Sequence, residues 1–124
     1  MKHIILVFIG GGIGSVCRYG ISLLGVRWLG ADFPVGTLAV NLAGCFLIGV
    51  CFALAEQVKW VSPAARIFLM TGFLGGLTTF SSYGLESMNL MLDGHPTHSV
   101  LNILANIIGG LLCVLAGLWV GKSV

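Results

Sequence analysis

Charge is scarce along this chain of 124 residues: six Lys or Arg stand against four Asp or Glu, a formal net charge of +2. Charged side chains form 8% of the sequence, where an average soluble domain carries about 25%. So small a net charge, with no basic run, excludes a nucleic-acid-binding surface. Carboxylates this few supply no acid–base pair, and no Ser/His/Asp set or metal cluster stands beside them, so chemistry on a substrate is not expected. Proline occurs three times, at Pro34, Pro63 and Pro96, each between long apolar stretches. Cys17, Cys45, Cys51 and Cys113 form no C-x-x-C pair and fall within apolar stretches, as small hydrophobes at helix contacts do. His95 and His98 make an H-x-x-H around Pro96, without the partner Cys or carboxylate spacing of a metal site.

Apolar residues and glycine are present in excess. Hydrophobic residues reach 57% and the mean hydropathy is +1.06, the composition of a membrane protein. Glycine occurs 19 times, roughly twice its usual ~7% share, which argues for helices packed closely in lipid. A spanning helix needs about 20 mostly apolar residues, and four stretches qualify: about 4–24, 35–55, 67–92 and 100–120. The expected fold is an all-α membrane protein, one four-helix transmembrane domain over 1–124. Met1-Lys2-His3 before an apolar run has the start of a signal peptide, but no Ala-x-Ala-like site follows, so the segment reads as a retained first span. Trp28, Trp60 and Trp119 stand at span ends as interfacial anchors. Lys2, Lys59, Arg66 and Lys122 share one side, against Arg27 on the other, which favours cytoplasmic termini.

Polar residues inside the spans carry the functional question. Gly10-Gly11-Gly12-Ile13-Gly14-Ser15 lacks the third glycine of a dinucleotide fingerprint and follows no soluble strand; Gly10 and Gly14 instead make a G-x-x-x-G contact face. Arg18, on the side of Gly14, Ser15 and Ser22, either draws anions or anchors helix ends by hydrogen bonds. Asn41 is the only strongly polar side chain of the second span; its NH2 suits either a dehydrated anion or interhelical glue. Asn102 and Asn106, one turn apart in the fourth span, read the same way.

The third span contains Gly75-Gly76-Leu77-Thr78-Thr79-Phe80-Ser81-Ser82-Tyr83-Gly84, a run of helix breakers, hydroxyls and aromatics where a helix is required. Lipid cannot satisfy freed backbone groups, so a broken helix survives only inside protein or beside a polar cavity, and such breaks mark ion or substrate sites. Carbonyls released over 75–78 suit a cation. Phe80 and Tyr83 on one side, with Thr79, Ser82 and Glu86 on an adjoining stripe, suit an anion through ring edges, hydroxyls and the positive end of the following half-helix.

These segments together resemble a known family. Gly72 to Tyr83, Gly36 to Gly44 and Gly10 to Tyr19 are similar to the Fluc (CrcB) fluoride channels, with the same four spans. The resemblance implies an antiparallel, dual-topology homodimer in the bacterial inner membrane, with two fluoride pores and a structural sodium ion on its axis. By it, Gly75 and Thr78 offer carbonyls to sodium. Asn41 and Phe80 line the fluoride path with Ser81 nearby, Arg18 matches the first-helix arginine, and Glu86 matches the acid of the third helix. Tyr83 stands where the family usually has Phe. Asn102 and Asn106 can join a polar track along the fourth helix, whereas Gly110 and Val114 cannot. The charge count fits one orientation better than dual insertion, which rests on the resemblance. The alternative readings are a four-span, proton-coupled multidrug exporter and a purely structural membrane protein. The exporter needs an acid in its binding span, and the first span has none.

Overall fold

The computed structural model describes residues 1–57 and 62–123; Lys59 and Trp60, used above for orientation and anchoring, lie outside them. The described residues are helical, without strands. Helix α1 covers Lys2–Leu29 and α2 covers Val35–Gln57. Helix α3 runs over 63–77, opening with an α-turn at Pro63–Arg66, widening to a π-helix at Ile67–Leu74 and closing at Gly75–Leu77. Helix α4 is Phe80–Leu92, and α5 is Pro96–Ser123 with a π-helical stretch at Ala105–Gly109.

The helix ends follow local chemistry. Gly30 terminates α1 with a φ of 86°, a conformation suited to glycine, and its N–H returns to the Val26 carbonyl. Pro63 opens α3, where its missing N–H costs nothing, and Ser62 caps that turn by accepting from the Ala65 N–H at 3.2 Å. Pro96 opens α5 in the same way. At 1.5 Å per residue α1 is about 42 Å long, more than a ~30 Å hydrocarbon core, so it overshoots the expected 4–24 span at both ends.

Three helices, α1, α2 and α5, are long and apolar enough to cross a membrane. The third expected span is divided, as the sequence required, and the break lies within the expected run of Gly75 to Gly84. Gly75 and Gly76 remain helical, and the chain extends at Thr78 (φ −83°, ψ 154°) and Thr79 (φ −151°, ψ 124°). The two glycines therefore do not break the helix. Gly76 permits close approach: a Cβ there would lie 2.9 Å from the Gly11 Cα.

Small residues set the packing. Gly10 and Gly14 are the buried residues of α1, and a Cβ on Gly14 would sit 2.8 Å from the Leu77 nitrogen of α3. On the other side, α2 packs along α5, with Gly49 against the Leu118 nitrogen and Gly117 against that of Val50. Between the two pairs sits a small core of Val40, Leu74 and Leu77. Helix α4 lies on the first half of α5. Large apolar side chains point outward, among them Phe8 and Phe80 at 80% exposure each, as lipid or a partner demands. Trp28 and Trp119 are exposed near the ends of α1 and α5.

Candidate functional site

An α-helix running through residue 79 would join the Thr79 N–H to the Gly75 carbonyl and the Phe80 N–H to that of Gly76. The extension at Thr78 and Thr79 frees these groups, and side chains from other helices take over two of them. Asn41 accepts the Thr79 N–H at Oδ1 (2.8 Å) and returns an Nδ2 donation to the Thr79 carbonyl (3.1 Å). These two contacts require opposite chemistry, which fixes the orientation of the amide. Arg18 Nε donates to the Gly76 carbonyl at 3.2 Å, and Ser15 Oγ reaches the same oxygen at 3.4 Å. That contact sets the Arg18 cation at the negative end of α3, as an anchor of helix ends would be. Thr78 Oγ1 turns back to the Leu74 carbonyl, and Thr79 caps α4 by accepting from the Ser82 N–H at 3.2 Å. Among the described residues no such contact reaches the carbonyls of Gly75 or Thr78. Gly75 lies on the exposed surface.

From Asn41 a chain of amides runs away from the break. Asn41 Nδ2 donates to Asn106 Oδ1 at 2.8 Å, and Asn106 Nδ2 donates to the Asn102 carbonyl and Oδ1 at 2.9 and 3.0 Å. Asn102 Nδ2 then donates to Ser87 Oγ at 2.9 Å, and Ser87 Oγ to the Tyr83 carbonyl at 2.8 Å. Ser99 Oγ closes the far end on the Ser87 carbonyl at 2.7 Å. Asn106 belongs to the π-helical stretch of α5, a wider turn of the kind often found at functional sites. Ser87 and Ser99 were not singled out from the sequence. The signal was there: Tyr83–Ser87 and Ser99–Asn102–Asn106 keep helical spacing along one stripe each.

A cavity of about 460 Å³ opens beside the break, between α2, α3, α4 and α5. Asn41, Thr78, Thr79, Phe80, Tyr83 and Asn106 supply its polar and aromatic wall, and aliphatic residues supply the rest. Tyr83 is buried and Phe80 exposed, their rings edge-to-face at 5.0 Å and 76°. Gly75 and Thr78, the residues expected to face a cation, also border the cavity.

Other expected residues stand apart. Asn102 is fully buried in the amide chain and does not line the cavity. Glu86 faces α2, where Thr37 Oγ1 donates to Oε1 at 2.6 Å; its Oε2 is buried with no partner among the described residues. Ser81 is exposed just outside, 3.3 Å from Thr79 Oγ1. Gly110 and Val114 line the cavity without polar side chains. No group of three His, Cys, Asp or Glu able to hold a metal occurs among the described residues.

Residues 5–118 match the family described as CrcB-like protein, Camphor Resistance (CrcB). A protein of Chlorobium phaeobacteroides called fluoride-specific ion channel FluC is 47% identical, over 96% of this chain and 92% of that protein. Proteins of the same name from Azobacteroides pseudotrichonymphae and Parabacteroides distasonis are 49% and 44% identical, over 94% and 100% of this chain and 94% and 96% of their own lengths. With nearly its whole length matched and almost half its residues identical to such relatives, the chain belongs to the CrcB family.

Proposed function

We propose that this protein is a passive, fluoride-selective channel, a multi-pass protein of the bacterial plasma membrane that lets cytoplasmic fluoride leave down its electrochemical gradient. The observation that carries this reading is a helix broken at Thr78 and Thr79 beside a cavity walled by amides, hydroxyls and aromatic edges, in a chain whose curated relatives are called fluoride-specific ion channels. Moving one charge across 100 mV is worth about 2.3 kcal/mol, so an inside-negative membrane drives an anion outward without ATP or a proton carrier. Narrowness and donors matched to a small anion then favour fluoride over larger halides. The exporter reading is not favoured, since α1 carries Arg18 and no acid.

In this reading Asn41, Thr79, Phe80, Tyr83 and Asn106 form the anion path. Ser81 lies at its margin, and Glu86 and Asn102 support it from behind. The chain works as an antiparallel homodimer with dual topology. Pairing of two copies is supported by the exposure of Gly75 and Ser81, whose backbone carbonyl and hydroxyl lipid alone serves poorly. The Gly75 and Thr78 carbonyls suit a sodium ion, because they are hard oxygen donors left without helical partners while Arg18 and Ser15 occupy Gly76. Sodium bound there would supply a fixed positive charge between the two broken helices.

The test is flux from proteoliposomes under an applied potential, with fluoride and chloride gradients compared. Potential-driven fluoride efflux without proton coupling is expected. Absence of flux, or equal passage of chloride, would refute the channel.

A further inference from the structure

The cavity at the break has one strong side-chain donor to spare. Asn41 Nδ2 donates to Thr79 and Asn106, and Asn106 Nδ2 makes both of its contacts with Asn102. Thr78 Oγ1 donates to the Leu74 carbonyl and Thr79 Oγ1 to Ser82 Oγ at 3.1 Å. All four side chains line the cavity, and all four have their hydrogens committed within the protein. Cys45 contributes only a thiol, a weak donor. Tyr83 is different. Its hydroxyl makes no hydrogen bond among the described residues, yet it is not enclosed as Glu86 Oε2 and His98 Nδ1 are. The residue is 7% exposed and borders the cavity.

We propose that the Tyr83 hydroxyl donates its hydrogen to the anion in this cavity, so that Tyr83 sets fluoride affinity and selectivity at the break in this chain. The inference rests on the channel reading and assigns the donor within it. A phenol that lacks a protein partner gives up no internal hydrogen bond when an anion arrives, whereas Asn41 and Asn106 must each break one. Donation to a charged acceptor is roughly twice as strong as to a neutral one, and fluoride, the smallest halide, concentrates its charge most. Phe80 restrains the ring edge-to-face, which keeps the hydroxyl in place and limits how far it can yield to a larger ion.

Tyr83→Phe removes one oxygen atom and keeps the ring. Proteoliposomes of the full chain, titrated with fluoride and with chloride, give the half-saturating concentration and the selectivity; thermal unfolding of the same preparation reports packing. Tyr19, the other tyrosine and 67% exposed on α1, supplies Tyr19→Phe as a control. The expected result is a half-saturating fluoride concentration raised about tenfold, with weaker preference over chloride, and an unfolding temperature unchanged in both variants. An unchanged half-saturation in Tyr83→Phe overturns the inference. So does a loss of flux accompanied by a lower unfolding temperature at constant half-saturation, which would make Tyr83 a packing residue. If the wild-type protein passes no fluoride, the channel reading falls and this assignment with it; if the wild type conducts and Tyr83→Phe matches it, only the assignment falls.

Discussion

Asn41→Ala removes the clamp on the broken helix, and its cost can be worked from three contacts. The substitution deletes the acceptor of the Thr79 N–H at 2.8 Å, the donor to the Thr79 carbonyl at 3.1 Å and the donor to Asn106 Oδ1 at 2.8 Å. Interhelical side-chain hydrogen bonds in membrane proteins average about 0.6 kcal/mol and reach about 1.7 kcal/mol, so three of them total about 2–5 kcal/mol. The upper part of that range applies here, because Thr79 has no helical partner to return to. Asn41→Asp separates the two ends of the amide. A carboxylate still accepts the Thr79 N–H but donates to neither oxygen, and it sets negative charge against two acceptors and against any anion in the cavity. Stability should fall in both variants, and fluoride flux should fall further in Asn41→Asp than in Asn41→Ala. Reversible unfolding in mixed detergent micelles measures the first quantity and liposome efflux the second. An Asn41→Ala protein within about 0.5 kcal/mol of wild type would refute the clamp. Combination with Asn106→Ala adds a check: partners in one network should give a double variant less destabilised than the sum of the singles.

Two further outcomes follow from the packing and the anchor. A Cβ on Gly49 would lie 2.9 Å from the Leu118 nitrogen, so Gly49→Ala must push α2 and α5 apart; a loss of about 1–3 kcal/mol should appear as reduced monodisperse yield in detergent and a lower unfolding temperature. Unaltered yield and unfolding would show that this helix pair has slack. Arg18→Lys keeps the charge but loses the planar donor to the Gly76 carbonyl, and should cost about 1 kcal/mol of stability. Equal stability with retained flux would show that charge alone matters at this position.

Much of the fold was legible because lipid imposes simple rules. Apolar runs of spanning length at about 4–24, 35–55 and 100–120 announce helices whatever their partners, and the structure has them at 2–29, 35–57 and 96–123. The G-x-x-x-G of Gly10 and Gly14 foretold a close contact, and α3 makes it. The position of the break was less legible. The expected run covered ten residues, Gly75 to Gly84, without saying which of them leave the helix; in the packed bundle Gly76 serves approach to Gly11, and the two β-branched threonines carry the extension. Arg18 was equally open on paper. A cation in a span has either a functional or a structural partner, and only the fold brings the Gly76 carbonyl within 3.2 Å.

The sequence by itself determined that the chain lives in lipid, that its helices pack through glycine, and that its third span has to break beside something polar. Those properties follow from composition and spacing, which act locally along one chain. Tertiary structure decided which freed groups are satisfied and which are left. Asn41 and Thr79 are 38 positions apart and Arg18 and Gly76 58 apart, so their hydrogen bonds exist only once the helices have packed. That same packing commits every amide and threonine hydrogen at the cavity while leaving the Tyr83 hydroxyl uncommitted. Spacing along the chain carries no information about such a balance, because donors are spent across helices and not along them.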